Sequence, residues 1–247
     1  MNKDAAFDAV ERDFRAQQTT DALAALTAEQ RGLLHEYWVD RARGELTTAL
    51  TFEFMLADLE TEAAPRELLA LARTAIADEH RHVDWCLRWA RLVDPTLPAE
   101  PELSGTRPLE LDGASAHDNR ILRTVFGCCF SETVAIHVLR ASHARITLPS
   151  VRRLNQEHMK EEVGHARLGW ALAAWPALTA RDRSMLAAHV PEMLRLVRMV
   201  WRATPRPPDA ALHELGYLSS EIIDAACEEA IADVVMPGLE SAGIELR

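Results

Sequence analysis

Apolar residues recur every three or four positions through most of the chain, the spacing of helices that each bury one face. Phe7, Val10 and Phe14 set that period over Lys3–Gln18, with Asp4 available as a cap. Thr27-Ala-Glu-Gln30 has the spacing of a capping box. It opens a long helix running to about Glu60, with Gly32 and Gly44 as weak points where a kink is expected. Pro65 suits the first turn of the next helix, which continues to Val93 until Asp94-Pro95 stops it. Asp94–Ala114 has no period and carries four prolines and two glycines. Helical spacing resumes from Ser115 to about Ile146. After the tight connection Leu148-Pro149-Ser150, Ser150 is placed to cap a helix reaching Trp175-Pro176. Two further helices are predicted near Thr179–Arg202 and Ser219–Met236, with the proline-rich Thr204–Pro208 between them.

The aperiodic stretch has a geometric use. A helix of about 28 residues is ~42 Å long, whereas about 21 extended residues reach ~70 Å. Asp94–Ala114 can therefore run the length of a helical bundle and join two antiparallel hairpins so that their middle helices lie parallel. The predicted architecture is all-α, a ferritin-like four-helix bundle with one long crossover. Its core spans about residues 27–175, with accessory helices at 3–18 and 179–236, in a single domain covering residues 1–247.

Composition supports this and narrows the function. Apolar residues make up 48% of the chain, enough for a substantial core, and aromatics only 6%. A net charge of −11 with no basic run argues against a nucleic-acid or anionic-membrane partner. No uninterrupted apolar run approaches about 18 residues. Met1–Val10 lacks the pattern of a signal peptide, so a cytoplasmic location is expected. The four cysteines, Cys86, Cys128, Cys129 and Cys227, form no C-x-x-C, which excludes a zinc knuckle or a rubredoxin-type iron centre and leaves reduced, mostly buried thiols.

The chemistry concentrates in Asn155–Trp170, NQEHMKEEVGHARLGW. His158, Glu162 and His165 stand at i, i+4 and i+7, within about 60° of one another on one helix stripe. An earlier stretch, ADEHRHVDW, carries Glu79-x-x-His82 at the same step as Glu162-x-x-His165. Chance alone produces about one Glu-x-x-His match in such a composition, so the motif count decides little. Position decides more, because facing residues of an antiparallel hairpin share a midpoint. Glu45 and Glu79 average to residue 62, inside the first turn, whereas Glu53 and Glu79 average to 66; Glu45 is the better partner and Glu53 the substitute. Glu132 and Glu162 average to 147, inside the second turn. Each hairpin thus sets one Glu opposite one Glu-x-x-His, and four carboxylates neutralise two divalent ions. Carboxylate and imidazole donors suit iron, with manganese the other fit. Asp78 and Glu161 are placed to accept the free ring N–H of the opposite hairpin's histidine. Thr48, Ala49, Ala135 and Ile136 are expected pocket walls, and Cys128, four before Glu132, is a further candidate for the pocket. His137 reads as structural, His35, His80, His143 and His189 as surface or interface residues, and Glu228–Glu229 as a solvated face.

The fragments DEHRH and EEVGHARLGW resemble the D/E-E-x-x-H helices of ferritin-like di-iron carboxylate proteins, including bacterial multicomponent monooxygenases. His158, four residues before Glu162, is more narrowly similar to the third histidine of the p-aminobenzoate (arylamine) N-oxygenase family. The resemblance covers Glu45 to His165, about half of the chain. It implies Glu45, Glu79, His82, Glu132, His158, Glu162 and His165 as metal ligands and catalytic centre. The implied activity is a di-iron oxygenase that uses O2 to oxidise a small organic substrate, most specifically by N-oxygenation of an amine, with C-hydroxylation or desaturation as neighbours. Electrons would come from a separate reductase or ferredoxin, because the chain carries no flavin, nicotinamide or iron–sulfur motif. The competing expectation is an iron oxidase or peroxide scavenger of the ferritin or rubrerythrin kind, disfavoured by the absent C-x-x-C and the proline-rich crossover. The last two helices are left to serve as a lid or as a homodimer interface.

Overall fold

The computed structural model describes residues 9–10, 12–101, 106–202 and 204–245, and all regular structure in them is helical. The elements are α1 (Gln17–Ala24), α2 (Ala28–Thr61), α3 (Arg66–Val93), α4 (Ala116–His143), α5 (Pro149–Ala173), α6 (Ala180–Trp201), α7 (Ala210–His213), α8 (Ser220–Ala230) and α9 (Met236–Ser241). Much of the layout follows from local signals. Thr27 caps α2 and closes the capping box with Gln30; Ser115 with Asp118, and Thr179 with Asp182, do the same for α4 and α6. Pro65 takes the N-cap position of α3, and Asp94 ends that helix. Helix α2 passes Gly32 and Gly44 without interruption, so no break marks the expected weak points.

Helices α2 and α3 pack along their length as one antiparallel hairpin, α4 and α5 as a second, and α5 lies against α3. The segment between α3 and α4 contains no helix in its described residues. Helices α6 and α8 cover the outer side of α4. That covering bears on α4 itself. A window of this helix has a mean hydropathy of 1.3, apolar enough to cross a membrane, which counting uninterrupted apolar residues does not reveal; 78% of the window is buried inside the protein.

Several boundaries differ from the expected ones. Residues 3–8 and 11 of the predicted N-terminal helix lie outside the described residues, as does Phe7. The helical turn ending at Phe14 breaks at residues 15–16, and the chain restarts as α1, which the sequence pattern did not separate. Ser150 is not a cap. Pro149, with its φ already helical, starts α5 one residue earlier behind Leu148, and the Ser150 hydroxyl is buried 3.0 Å from Thr19 Oγ1. The four-residue α7, capped by Asp209 on the N–H groups of Ala211 and Leu212, is too short to leave a period. Helical winding after α8 continues through a π-helical stretch, Ile231–Val235, into α9. The changed hydrogen-bond register just before Pro237 lets the helix continue past the proline, which the pattern read as its end.

Helix α4 also contains a π-helical stretch, Val125–Glu132. Gly169 of α5 lies against it: a Cβ there would come within 2.6 Å of Cys128 Cβ and 2.8 Å of the Cys129 backbone nitrogen. The apolar core divides into two clusters. One holds Phe52, Met55, Ala72, Phe130 and Leu168; the other holds Leu34, Trp38, Trp85, Trp89 and Leu154. Between them the same helices carry a layer of polar residues.

Candidate metal centre

That layer contains all seven expected ligands. Glu79 and His82 come from α3, Glu132 from the end of the π-helical stretch of α4, and His158, Glu162 and His165 from one stripe of α5. Glu45 of α2 completes the set and is the least buried, its side chain 14% exposed. The seven divide into two groups that share Glu162: Glu45, His82, His158 and Glu162, and Glu79, Glu132, Glu162 and His165. In each group one donor atom per residue lies within 4.8 Å of every other. Of the two carboxylates considered on α2, Glu45 lies in the cluster and Glu53 is exposed.

The imidazoles are oriented by what stands behind them. His82 turns Nδ1 toward Glu79 (3.4 Å) and Glu162 (3.6 Å), while its Nε2 meets Glu161 at 2.9 Å. His165 turns Nδ1 toward Glu79 (2.9 Å) and Glu162 (3.0 Å), with Asp78 3.6 Å from its Nε2. Glu161 thus hydrogen-bonds the opposite hairpin's histidine as expected, whereas Asp78 sits near its histidine but beyond hydrogen-bond length. Arg81 joins the two carboxylates, donating to Asp78 and, at 2.7 Å, to Glu161. The sequence reading missed Arg81; its signal was the i+3 step from Asp78.

The electrostatics of the cluster call for cations. Burial, with Glu162 nearby, raises Glu79 and Glu132 well above the ordinary carboxylate range. Against its own burial, His165 and His158 hold Glu162 well below that range. Glu79 Oε1 lies 2.9 Å from His165 Nδ1 yet outside hydrogen-bonding geometry, and His165 Nε2 is likewise buried without a hydrogen-bond partner. Buried carboxylate oxygens left without donors are costly unless neutralised. Two divalent ions fit this donor set in charge and in chemistry, and thiolates take no part. All four cysteines are buried and free.

The Glu45 side of the cluster opens on a cavity of about 360 Å³. Glu45, Glu132, His158 and Glu162 form its floor, with Thr48, Ala135, Val138 and Leu139 on its walls and Trp201 and Ile223 closing it from α6 and α8. Of the four expected wall residues, Thr48 and Ala135 line it; Ala49 is buried in the core and Ile136 faces elsewhere. Cys128 does not line it either. Its side chain is buried in the apolar core, the thiol 3.8 Å from Met55 Sδ. Arg41 and Tyr37 on the cavity wall were also missed, though Arg41 stands four residues before Glu45.

The remaining histidines are structural or solvated. His137 is buried with Nδ1 2.9 Å from the Thr133 carbonyl, as expected. His35 is buried rather than at the surface, 3% exposed, and borders a pocket that Leu97 and Pro98 also line. Glu228 and Glu229 are exposed but engaged, Glu228 by Arg198 and Arg202 and Glu229 by Arg140. A third group, His117, Asp118 and Asp182, has its carboxylates already committed: both are capping-box residues, and Arg181 holds Asp118 at 2.5 and 3.1 Å. Comparison with protein-family models, with curated proteins and with solved structures gives no match.

Proposed function

We propose that α2–α5 form a ferritin-like four-helix bundle that holds two iron ions and acts as a di-iron oxygenase on a small organic substrate, most specifically an amine that it N-oxygenates. One observation carries the reading: two four-donor groups of carboxylates and imidazoles share a single carboxylate, Glu162, beside a cavity of substrate size. Glu45, His82, His158 and Glu162 would hold one ion and Glu79, Glu132, Glu162 and His165 the other, with manganese the alternative metal. When bound, the pair supplies the dioxygen chemistry and cycles between ferrous and ferric states, its electrons delivered by a separate reductase or ferredoxin.

The chain's own residues do the rest. His82 and His165 present Nδ1 inward because Glu161, and more loosely Asp78, stand at their outer nitrogens, fixing ring direction and tautomer. Arg81 ties those two carboxylates together, so the α3 and α5 halves of the centre keep one spacing. Val138, Leu139, Trp201 and Ile223 give the substrate an apolar body-sized space and exclude water from it, while Thr48 and Ser131 offer hydroxyls for orientation. A cavity of this volume beside the open side of the centre favours oxidation of an organic molecule over iron storage.

The test is anaerobic loading with ferrous iron, metal analysis, then addition of O2 with a panel of small aryl and alkyl amines under mass-spectrometric detection. Two irons per chain and amine-dependent oxygen uptake with an N-oxygenated product are expected. Failure to retain iron, or oxygen uptake indifferent to every substrate, would sink the reading.

A further inference from the structure

The two ion positions are chemically unequal, and the difference lies in one arginine. Glu79, Glu132, Glu162 and His165 are each no more than 5% exposed, and among the described residues no arginine or lysine hydrogen-bonds or ion-pairs with any of them. The Glu45 position has a resident cation. Arg41 Nη2 lies 3.2 Å from Glu45 Oε1 and 3.2 Å from His158 Nδ1. Its guanidinium also sits over the Trp38 ring, 5.2 Å from the centroid. Resting on the metal reading above, we propose that the two positions load in order, the Glu79–Glu132–His165 position first, and that Arg41 competes with the second ion for His158.

The argument is one of donors and acceptors. A guanidinium has five N–H groups and no acceptor. Facing Arg41, His158 Nδ1 must accept, so the ring proton sits on Nε2, 2.8 Å from Glu162 Oε1 and 3.5 Å from Glu45 Oε1. A proton on Nδ1 would set a donor against the guanidinium's donors, so the arginine contact favours the Nε2–H arrangement. An ion needs the Nε2 lone pair. Freeing it moves the proton to Nδ1 and breaks the Arg41 contact. Arg41 lines the cavity, so space adjoins it on that side. No comparable exchange is needed at the other position, where His165 already turns Nδ1 inward and its outer nitrogen faces Asp78.

The inner position offers Glu79, Glu132 and the shared Glu162 against one imidazole; the outer offers Glu45 and Glu162 against two imidazoles and an arginine. Both charge and tautomer therefore favour the inner position.

The experiment titrates the metal-free protein anaerobically with Mn(II), counting free ion by electron paramagnetic resonance. A second record follows the ring nitrogens of 15N-histidine-labelled protein by NMR during a parallel titration with diamagnetic Zn(II). Expected are one tight ion and a second at least tenfold weaker, with His158 in the Nε2–H form until the second equivalent arrives. Arg41→Gln should tighten the second ion by about tenfold to a hundredfold and leave the first within a few-fold; Arg41→Lys, which keeps the charge, should recover most of the gap. Circular dichroism of each metal-free variant checks folding, and the wild-type NMR record stands whether or not a variant folds. Two equal affinities overturn the inference, as does a His158 response to the first equivalent or an Arg41→Gln variant whose second ion is unchanged or weaker. Loss of all ion binding would instead remove the functional reading itself.

Discussion

Gly169 decides whether the close fit between α5 and the π-helical stretch of α4 is needed to place Glu132. Replacing a mid-helix glycine by alanine ordinarily stabilises, by about 0.5–1 kcal/mol, because alanine loses less backbone freedom on folding. At position 169 the new methyl would stand 2.6 Å from Cys128 Cβ, 2.8 Å from the Cys129 backbone nitrogen and 2.8 Å from Cys129 Sγ. Two of those three atoms are fixed to the α4 backbone, so a rotamer change cannot clear them and the helices must separate. Overpacking of this kind costs about 1–3 kcal/mol. The clash outweighs the propensity gain, and Gly169→Ala is expected to lose about 1–2 kcal/mol, or roughly 2–8 °C in Tm for a chain of this size. Gly164, one turn earlier on the same helix, has nothing within 4 Å of an added Cβ. Gly164→Ala is the control, expected to be neutral or slightly stabilising. Urea denaturation of the metal-free forms measures both, and metal analysis reads the consequence: the shift of α4 carries Glu132 away from Glu79 and Glu162, lowering ion retention in the Gly169 variant only. If Gly169→Ala matches or exceeds the wild type in stability, the close-approach argument is wrong.

Three further outcomes follow from the same geometry. Glu45→Gln should reduce bound iron toward one ion per chain while Glu53→Gln leaves it unchanged, as atomic absorption would show; equal losses would contradict the assignment of Glu45. Arg81→Met, which severs the link between Asp78 and Glu161, should weaken metal affinity by about 10–100-fold, read by competition with a chelator; unchanged affinity would make Arg81 a bystander. His117 bridges Glu62 (2.9 Å) and Asp182 (3.3 Å), and the hydrogen bond to Glu62 is the main cause of its raised pKa. A folded value above the unfolded one of about 6.5 gives stability that is complete below that pH and lost as pH rises through the folded value. With the ring 42% exposed, the loss is screened to at most about 1 kcal/mol. Urea melts of His117→Gln should lose that slope above neutral pH, and a variant as pH-sensitive as the wild type would refute it.

The centre was legible because its geometry is carried by integers. Positions 158, 162 and 165 fix a helix stripe, and the shared midpoint of Glu45 and Glu79 selects the facing carboxylate without any coordinates. The cap at Thr27 was legible for the same reason, being set by residues three apart, whereas Ser115 and Thr179 were read only as helix starts and prove to close capping boxes as well. What escaped depends on departures from a uniform period or on contacts between distant segments. The π-helical winding of Val125–Glu132 leaves no mark in an apolar run that reads equally well as α-helix. Arg41 and Arg81 look like solvated cations until the partners across the interface are known. His35 is buried and shares a pocket with Leu97 and Pro98, about 60 residues away in sequence, which no local pattern encodes.

The division of the apolar core explains how a chain can keep so many ionisable groups in its interior. Along α2 the apolar face passes from Trp38 and Ala42 to Ala49 and Phe52 with Glu45 between them; along α3 it passes from Ala75 to Trp85 across Glu79 and His82; along α5 it passes from Leu154 to Leu168 across His158, Glu162 and His165. On these three helices the polar layer is crossed at one level, with an apolar cluster at either end. Burying carboxylates without counter-ions costs several kcal/mol apiece, and a single continuous core interrupted at random would carry that cost throughout. Confined to one layer, the cost is offset locally by imidazoles, by Arg41 and Arg81 at its edges, and by ions when bound. The two apolar ends can therefore hold the helices in register whether or not the layer is loaded. On that arrangement, single Glu→Gln changes within the layer are expected to lower ion affinity while circular dichroism shows the helical fold intact.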